Sequence, residues 1–148
     1  MRPFKKLLTI LLSAYSLTLQ ADSTAIVIPH ENLTKFGYSQ NVLFGISTPS
    51  LGAKEIEVWQ SSLGPGDHTP RHSHDCEEVF IFLKGEGKVN INNEDIYYKA
   101  PCTIIIPPDV EHEVFNLSNE PSLHFTLLRI GSTIWDSQDR PMTLPWRK

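Results

Sequence analysis

Two histidines separated by a single residue, His72 and His74, constrain this chain more than any other feature. Side chains at i and i+2 share a face only where the backbone is extended, so the pair demands a strand. It lies in the run Gly66-Asp-His-Thr-Pro-Arg-His72-Ser-His74-Asp-Cys-Glu-Glu78-Val-Phe-Ile-Phe-Leu-Lys-Gly85, and a further histidine closes Pro107-Pro-Asp-Val-Glu-His112. Two convergent imidazoles, the Glu78 carboxylate and a third imidazole at His112 form a donor set for one first-row divalent ion. Neutral imidazole nitrogen with a carboxylate oxygen suits zinc, manganese or iron(II) and leaves coordination positions open for water or a ligand.

The rest of the chain reads as strands. Glu55 to Trp59 alternates charged and apolar residues, the pattern of a strand with one wet face. Further strands are expected at 78–83, 87–91, 96–98, 102–106, 112–116 and 123–130, with Asn92-Asn93-Glu94-Asp95 as a hairpin connection. Gly64-Pro65-Gly66 and Pro107-Pro108 punctuate the chain and oppose helix, and no segment sustains a 3.6-residue period. Many short strands between turn signals indicate an all-β sandwich or barrel. Phe80, Phe82, Ile104, Ile106, Phe115 and Phe125 are expected to pack its core and line any cavity.

At 148 residues the chain has room for one domain. Its start has the layout of a secretory signal peptide: Arg2, Lys5 and Lys6, an apolar run from Leu7 to Leu19, then small Ala21. The expected organisation is a signal peptide over residues 1–21 and a β domain over 22–148, with a barrel core at about 40–130. The apolar run is short for a bilayer span, so no membrane association is expected after cleavage. Removing residues 1–21 takes away three of the thirteen cationic residues and no acidic ones, moving the net charge from −4 to −7. An acidic protein without a basic cluster is poorly suited to phosphate backbones, which argues against nucleic acid as a partner.

The histidine-rich segment also carries a family resemblance. Gly66-x5-His72-x-His74-x3-Glu78-x6-Gly85 resembles the first cupin motif at every defined position. The second motif is met by Pro107, His112 and Asn116 and departs at Pro101 and Asp109, turn positions where glycine is usual. A closer likeness, from Lys54 to Lys88, is to the plant auxin-binding protein family: a Trp-containing strand, a Gly-Pro-Gly turn, Thr-Pro before the histidines and Cys-Glu-Glu-Val-Phe after them. The resemblance implies a cupin double-stranded β-helix, a single-domain jelly-roll barrel, with His72, His74, Glu78 and His112 holding one ion, zinc first. It further implies an apolar ligand pocket at Trp59, Thr69 and Pro70, closed by a tryptophan from the C-terminal segment, for which Trp135 and Trp146 are the candidates. A homodimer is implied in the same way.

Two classes of function follow. One is a secreted binding protein whose open metal positions capture the carboxylate of a small, aromatic molecule. The other is a metal-dependent enzyme, a dioxygenase, isomerase or decarboxylase, since a bound divalent ion can polarise a carbonyl or generate hydroxide. No motif places an additional general acid or base, although Tyr97, Tyr98, Glu77 and Asp109 are available. Cys76 and Cys102, the two cysteines, permit one disulfide in an oxidising compartment; the resemblance aligns Cys76 with an unpaired cysteine. His68, His30 and His124 lack a partner pattern and read as ordinary loop or core histidines. Arg71 is expected to point away from the ion.

Overall fold

The computed structural model describes residues 24–147, so the expected signal peptide at residues 1–21 lies outside the described residues. Short 3-10 turns occur at His30–Asn32 and Pro49–Leu51, and the remaining elements are strands. In chain order these are β1 (Phe36–Tyr38), β2 (Asn41–Ser47), β3 (Ile56–Ser62), β4 (His72–His74), β5 (Glu78–Lys84), β6 (Glu86–Ile91), β7 (Glu94–Lys99), β8 (Cys102–Ile106), β9 (His112–Asn116), β10 (Leu123–Arg129), β11 (Ile134–Asp136) and β12 (Pro141–Met142). They form two six-stranded sheets, β1-β2-β3-β10-β5-β8 and β12-β11-β4-β9-β6-β7, with antiparallel neighbours throughout. This is the all-β jelly-roll expected from the sequence, and it continues past residue 130 through β11 and β12.

The β6–β7 hairpin turns on Asn92 and Asn93, whose φ values of 48° and 70° match the positive-φ pair that a two-residue primed turn requires. Glu94 and Asp95 belong to β7, not to the connection. Asp109, one of the two departures from the second motif, adopts φ 61° and so keeps the left-handed backbone for which glycine is usual. Its N–H donates to the His74 carbonyl at 2.7 Å, tying the loop before β9 to β4. At the other departure, Pro101 follows a cis peptide bond.

Two apolar clusters fill the space between the sheets. One joins Leu63, Phe80, Phe82, Val89, Tyr98, Ile106 and Val114; the other joins Trp59, Leu128 and Ile134, with Met142, Leu144 and Trp146 packed against it. Burying a phenylalanine as fully as Phe80 or Phe82 stabilises by about 1.5–3 kcal/mol. Asn116 secures the end of β9: its amide nitrogen donates to the carbonyls of Leu63, Gly64 and Glu120 at 2.9, 3.0 and 2.9 Å. Both Asn32-Leu-Thr and Asn116-Leu-Ser fit the N-glycosylation tripeptide, but a glycan could not be attached to the buried, fully used Asn116 amide, whereas Asn32 is exposed.

Two expectations are corrected, the inward placing of Phe115 and Phe125 and the wet face of β3. Phe115 and Phe125 face outward and are half-buried; the alternation of β9 and β10 turns Val114, Asn116, His124 and Thr126 inward instead. His68 stacks on Phe115 with ring centroids 5.2 Å apart, and the Lys88 ammonium lies 4.8 Å above the same ring. On β3 the charged residue is the buried one: Glu57 is fully buried while Ile56 is 53% exposed. Trp59 and Glu57 share a face, so burying the indole takes the carboxylate inward with it. Cys76 and Cys102 are both free, each packed against a different apolar cluster.

Candidate metal centre and ligand cavity

Strand pairing assembles the four expected ligands. β4 places His72 and His74 on one strand, and the β4–β9 register sets His72 directly across from His112. The three rings lie close, with centroids 4.8 Å apart for His72–His74 and 4.4 Å for His72–His112. Glu78 opens β5 in the other sheet, and its Oε2 stands 2.6 Å from His112 Nε2 and 3.2 Å from His74 Nε2. One ligand atom from each of His72, His74, Glu78 and His112 falls within 4.8 Å of all the others, so the cluster could hold a metal ion.

The hydrogen-bond pattern suits the cluster to a cation. His72 Nδ1 donates to the Pro70 carbonyl at 2.7 Å and His112 Nδ1 to the Val110 carbonyl at 2.9 Å. Each bond fixes the tautomer and turns the Nε2 lone pair towards the centre, an arrangement common around metal-bound histidine. Both carboxylate oxygens of Glu78, both ring nitrogens of His74 and His112 Nε2 are buried without a hydrogen-bond partner. With Nδ1 of His112 committed to Val110, the close approach of its Nε2 to the Glu78 carboxylate calls for a proton or a metal cation between the two atoms.

The charge states agree. Burial pushes the His72 imidazole down to about 4; Glu78 opposes that shift while His112 and His74 add to it. For Glu78, burial works to raise the carboxyl, but His112 and His74 outweigh it and hold the group well below the usual carboxylate range. At His112 burial lowers the imidazole and Glu78 more than restores it. An ionised carboxylate with three imidazole nitrogens, that of His112 freed of its proton on binding, is a fitting donor set for zinc, manganese or iron(II).

A cavity of about 270 Å3 opens beside this cluster and reaches His72, His74 and Glu78. Trp59, Thr69 and Pro70, the expected pocket residues, all line it. Thr69 is tied in place, its Oγ1 accepting from the Val114 N–H at 3.0 Å. Opposite walls come from Leu43 and from the C-terminal segment Met142, Thr143, Leu144 and Pro145. Of the two tryptophan candidates, Trp146 packs against Trp59 at 5.8 Å and against Phe36 at 6.2 Å without itself lining the cavity. Trp135 pairs across from Ser73 on β11 and is half-buried.

Arg71 points away from the centre, donating to Glu111, Asn90 and Asn93. His68 meets Glu113 at 2.6 Å and takes no part in the cluster. Sequence reasoning missed His124 and Thr126, both buried on the cavity wall. The signal that could have found them is the alternation of β10, where Leu128 inward implies Thr126 and His124 inward as well.

Comparison with known proteins places the chain in a family. The model of the auxin binding protein family matches residues 18–129. Auxin-binding protein T92 of Nicotiana tabacum is 34% identical over 106 residues, covering 65% of this chain and 56% of that protein. The chain spans about half the length of the curated relatives it matches. Among solved structures, the polyketide cyclase RemF from Streptomyces resistomycificus aligns with a TM-score of 0.62 at 13% identity, covering 84% of this chain and 89% of that one. A cupin from Shewanella frigidimarina aligns at 0.59 and 15% identity, over 72% and 91% of the two chains. Both likenesses are of fold. With a matched family model across most of its length and a cupin barrel around its histidine cluster, the chain belongs to the auxin-binding protein family.

Proposed function

We propose that this chain is an exported binding protein that takes up a small aromatic carboxylate beside a divalent ion held by His72, His74, Glu78 and His112. One observation carries the reading: one ligand atom from each of four residues clusters beside a mostly apolar cavity, and those of His74, Glu78 and His112 are buried without a hydrogen-bond partner. The ion, zinc in this proposal, supplies a cationic pole with positions open to an oxygen anion. The carbonyls of Pro70 and Val110 orient His72 and His112, and Glu78 balances part of the charge. Trp59, Pro70 and Leu144 surround the ring and exclude water. At about 270 Å3 the cavity falls slightly below the usual range for drug-sized ligands, so a small acid suits it.

The same reading takes residues 1–21 as a signal peptide and 22–148 as the mature cupin domain, located in a secretory lumen, the periplasm or outside the cell. Mass spectrometry of the exported protein should find Asp22 at the N-terminus, or Ile26 where cleavage falls after Ala25 instead. A homodimer is the proposed assembly; exposed Leu83 on β5 and Ile105 on the neighbouring edge strand β8 offer it an apolar surface, and light scattering tests it.

Calorimetry with 1-naphthylacetate is the decisive experiment for the ligand. Burying a carboxylate in this cavity is costly unless a cation compensates, so chelation should abolish binding, as should Glu78→Gln. Equal binding by the metal-free protein overturns the reading. Turnover of the acid, or oxygen uptake after iron(II) loading, assigns the protein to the enzymes instead.

A further inference from the structure

Beyond the metal cluster, the cavity has a second set of polar groups. β10 carries His124 and Thr126 two residues apart on its inner face. Strand register places Ser61 directly across from His124, and Thr126 between Trp59 and Phe80. His124 and Thr126 are each 1% exposed, both line the cavity, and His124 Nδ1 and Thr126 Oγ1 have no hydrogen-bond partner. Buried polar atoms in native proteins are almost always paired. Two unpaired polar atoms on neighbouring cavity-lining residues, flanked by Phe80 and Phe82, leave hydrogen-bonding capacity that water or a ligand group can fill.

Position and charge narrow that partner. The Phe80 ring lies 6.1 Å from the His112 ring and 5.7 Å from the His124 ring, so the pair sits one aromatic ring beyond the metal cluster. Burial pushes the His124 imidazole down to about 4, against a small opposing effect of Glu78, so the ring is neutral near pH 7 and has one donor and one acceptor nitrogen. No lysine or arginine lines the cavity among the described residues, so a second anionic group would meet no cation there. A hydroxyl both donates and accepts, and so complements a threonine hydroxyl and either tautomer of the imidazole.

We propose that His124 and Thr126 form a second polar pole of the cavity that selects ligands bearing a hydroxyl on the ring, so that the preferred acid is a hydroxylated aromatic carboxylate. For its anchoring carboxylate this inference rests on the function proposed above; for its hydroxyl it does not. The test therefore has two arms. On the zinc-loaded protein, calorimetry compares 4-hydroxyphenylacetate with phenylacetate; on the chelator-treated protein, ligand-observed NMR compares phenol with toluene. The hydroxylated member of each pair should bind about ten-fold more tightly, the effect of satisfying an otherwise unmade buried hydrogen bond. Thr126→Val, which keeps the side-chain shape, and His124→Leu should each erase the preference while thermal melts show both variants folded. Toluene binding as well as phenol, no binding of either, or a preference that survives both substitutions overturns the inference. Loss of acid binding with the phenol preference intact would sink the proposed function alone.

Discussion

Trp146 donates its indole N–H to Glu57 Oε1 at 2.8 Å, joining the C-terminal segment to a carboxylate buried at the back of the barrel. Arg147 completes the tie: its Nε donates to Glu57 Oε2 at 2.7 Å, its Nη2 meets the same oxygen, and its Nη1 donates to the Ser132 carbonyl at 2.7 Å. The wall formed by Met142 to Pro145 thus hangs between β11 and this anchor.

Removing the arginine should be more damaging than removing the whole ion pair. Arg147→Met leaves the Glu57 charge buried with only the indole N–H, at a cost of about 3–5 kcal/mol. The double variant Glu57→Gln/Arg147→Met should recover much of that loss. Urea unfolding of the three proteins checks the order, and equal stability of the single and double variants would contradict it.

Metal dependence should appear in stability as well as in binding. At zinc a hundred-fold above its dissociation constant, the folded protein gains about 2.7 kcal/mol. Chelator should therefore lower the melting temperature of the wild type and leave that of His74→Ala unchanged, because the apolar clusters stand without the ion. Elemental analysis should fall from one zinc per chain to none in the variant.

Acid should weaken the fold through His124. Its folded value of about 4 lies below the ordinary 6.5, so between those values the unfolded chain binds the additional proton and stability rises with pH. The neutral ring is fully tolerated above pH 6.5, and about 3 kcal/mol is lost as pH falls from there through 4. Metal-free His124→Leu should show a shallower decline than the metal-free wild type over that window. Parallel curves from chemical denaturation would refute the assignment.

Asp109 holds φ 61° without being glycine. Aspartate tolerates this conformation better than most residues, and alanine lacks the side-chain oxygen that helps it do so. Asp109→Ala should destabilise by about 1 kcal/mol, while Asp109→Gly should match or exceed the wild type. Reversed signs in thermal unfolding would mean that the aspartate side chain has another task.

Much of the barrel was legible. The strands at Cys102–Ile106 and His112–Asn116 have the expected limits, because alternation and proline-bounded turns are local signals. The four candidate ligands were likewise readable, since His72, His74 and Glu78 lie close in sequence and His112 follows a proline turn. β1, β11 and β12, at two or three residues each, are too short for any period to register.

By itself the sequence determined that the chain would be β throughout and that His72 and His74 would share a face, because both follow from backbone geometry within a few residues. Alternation groups the residues of β3 and β10 by face, and only the tertiary structure decided which face is interior. Glu57 is tolerated in the interior because Arg147, ninety residues away, meets it there, and His124 faces the cavity because the second sheet covers that face of β10. Such choices depend on the partner that folding brings to a face, and the alternation of a strand is the same whichever face is buried.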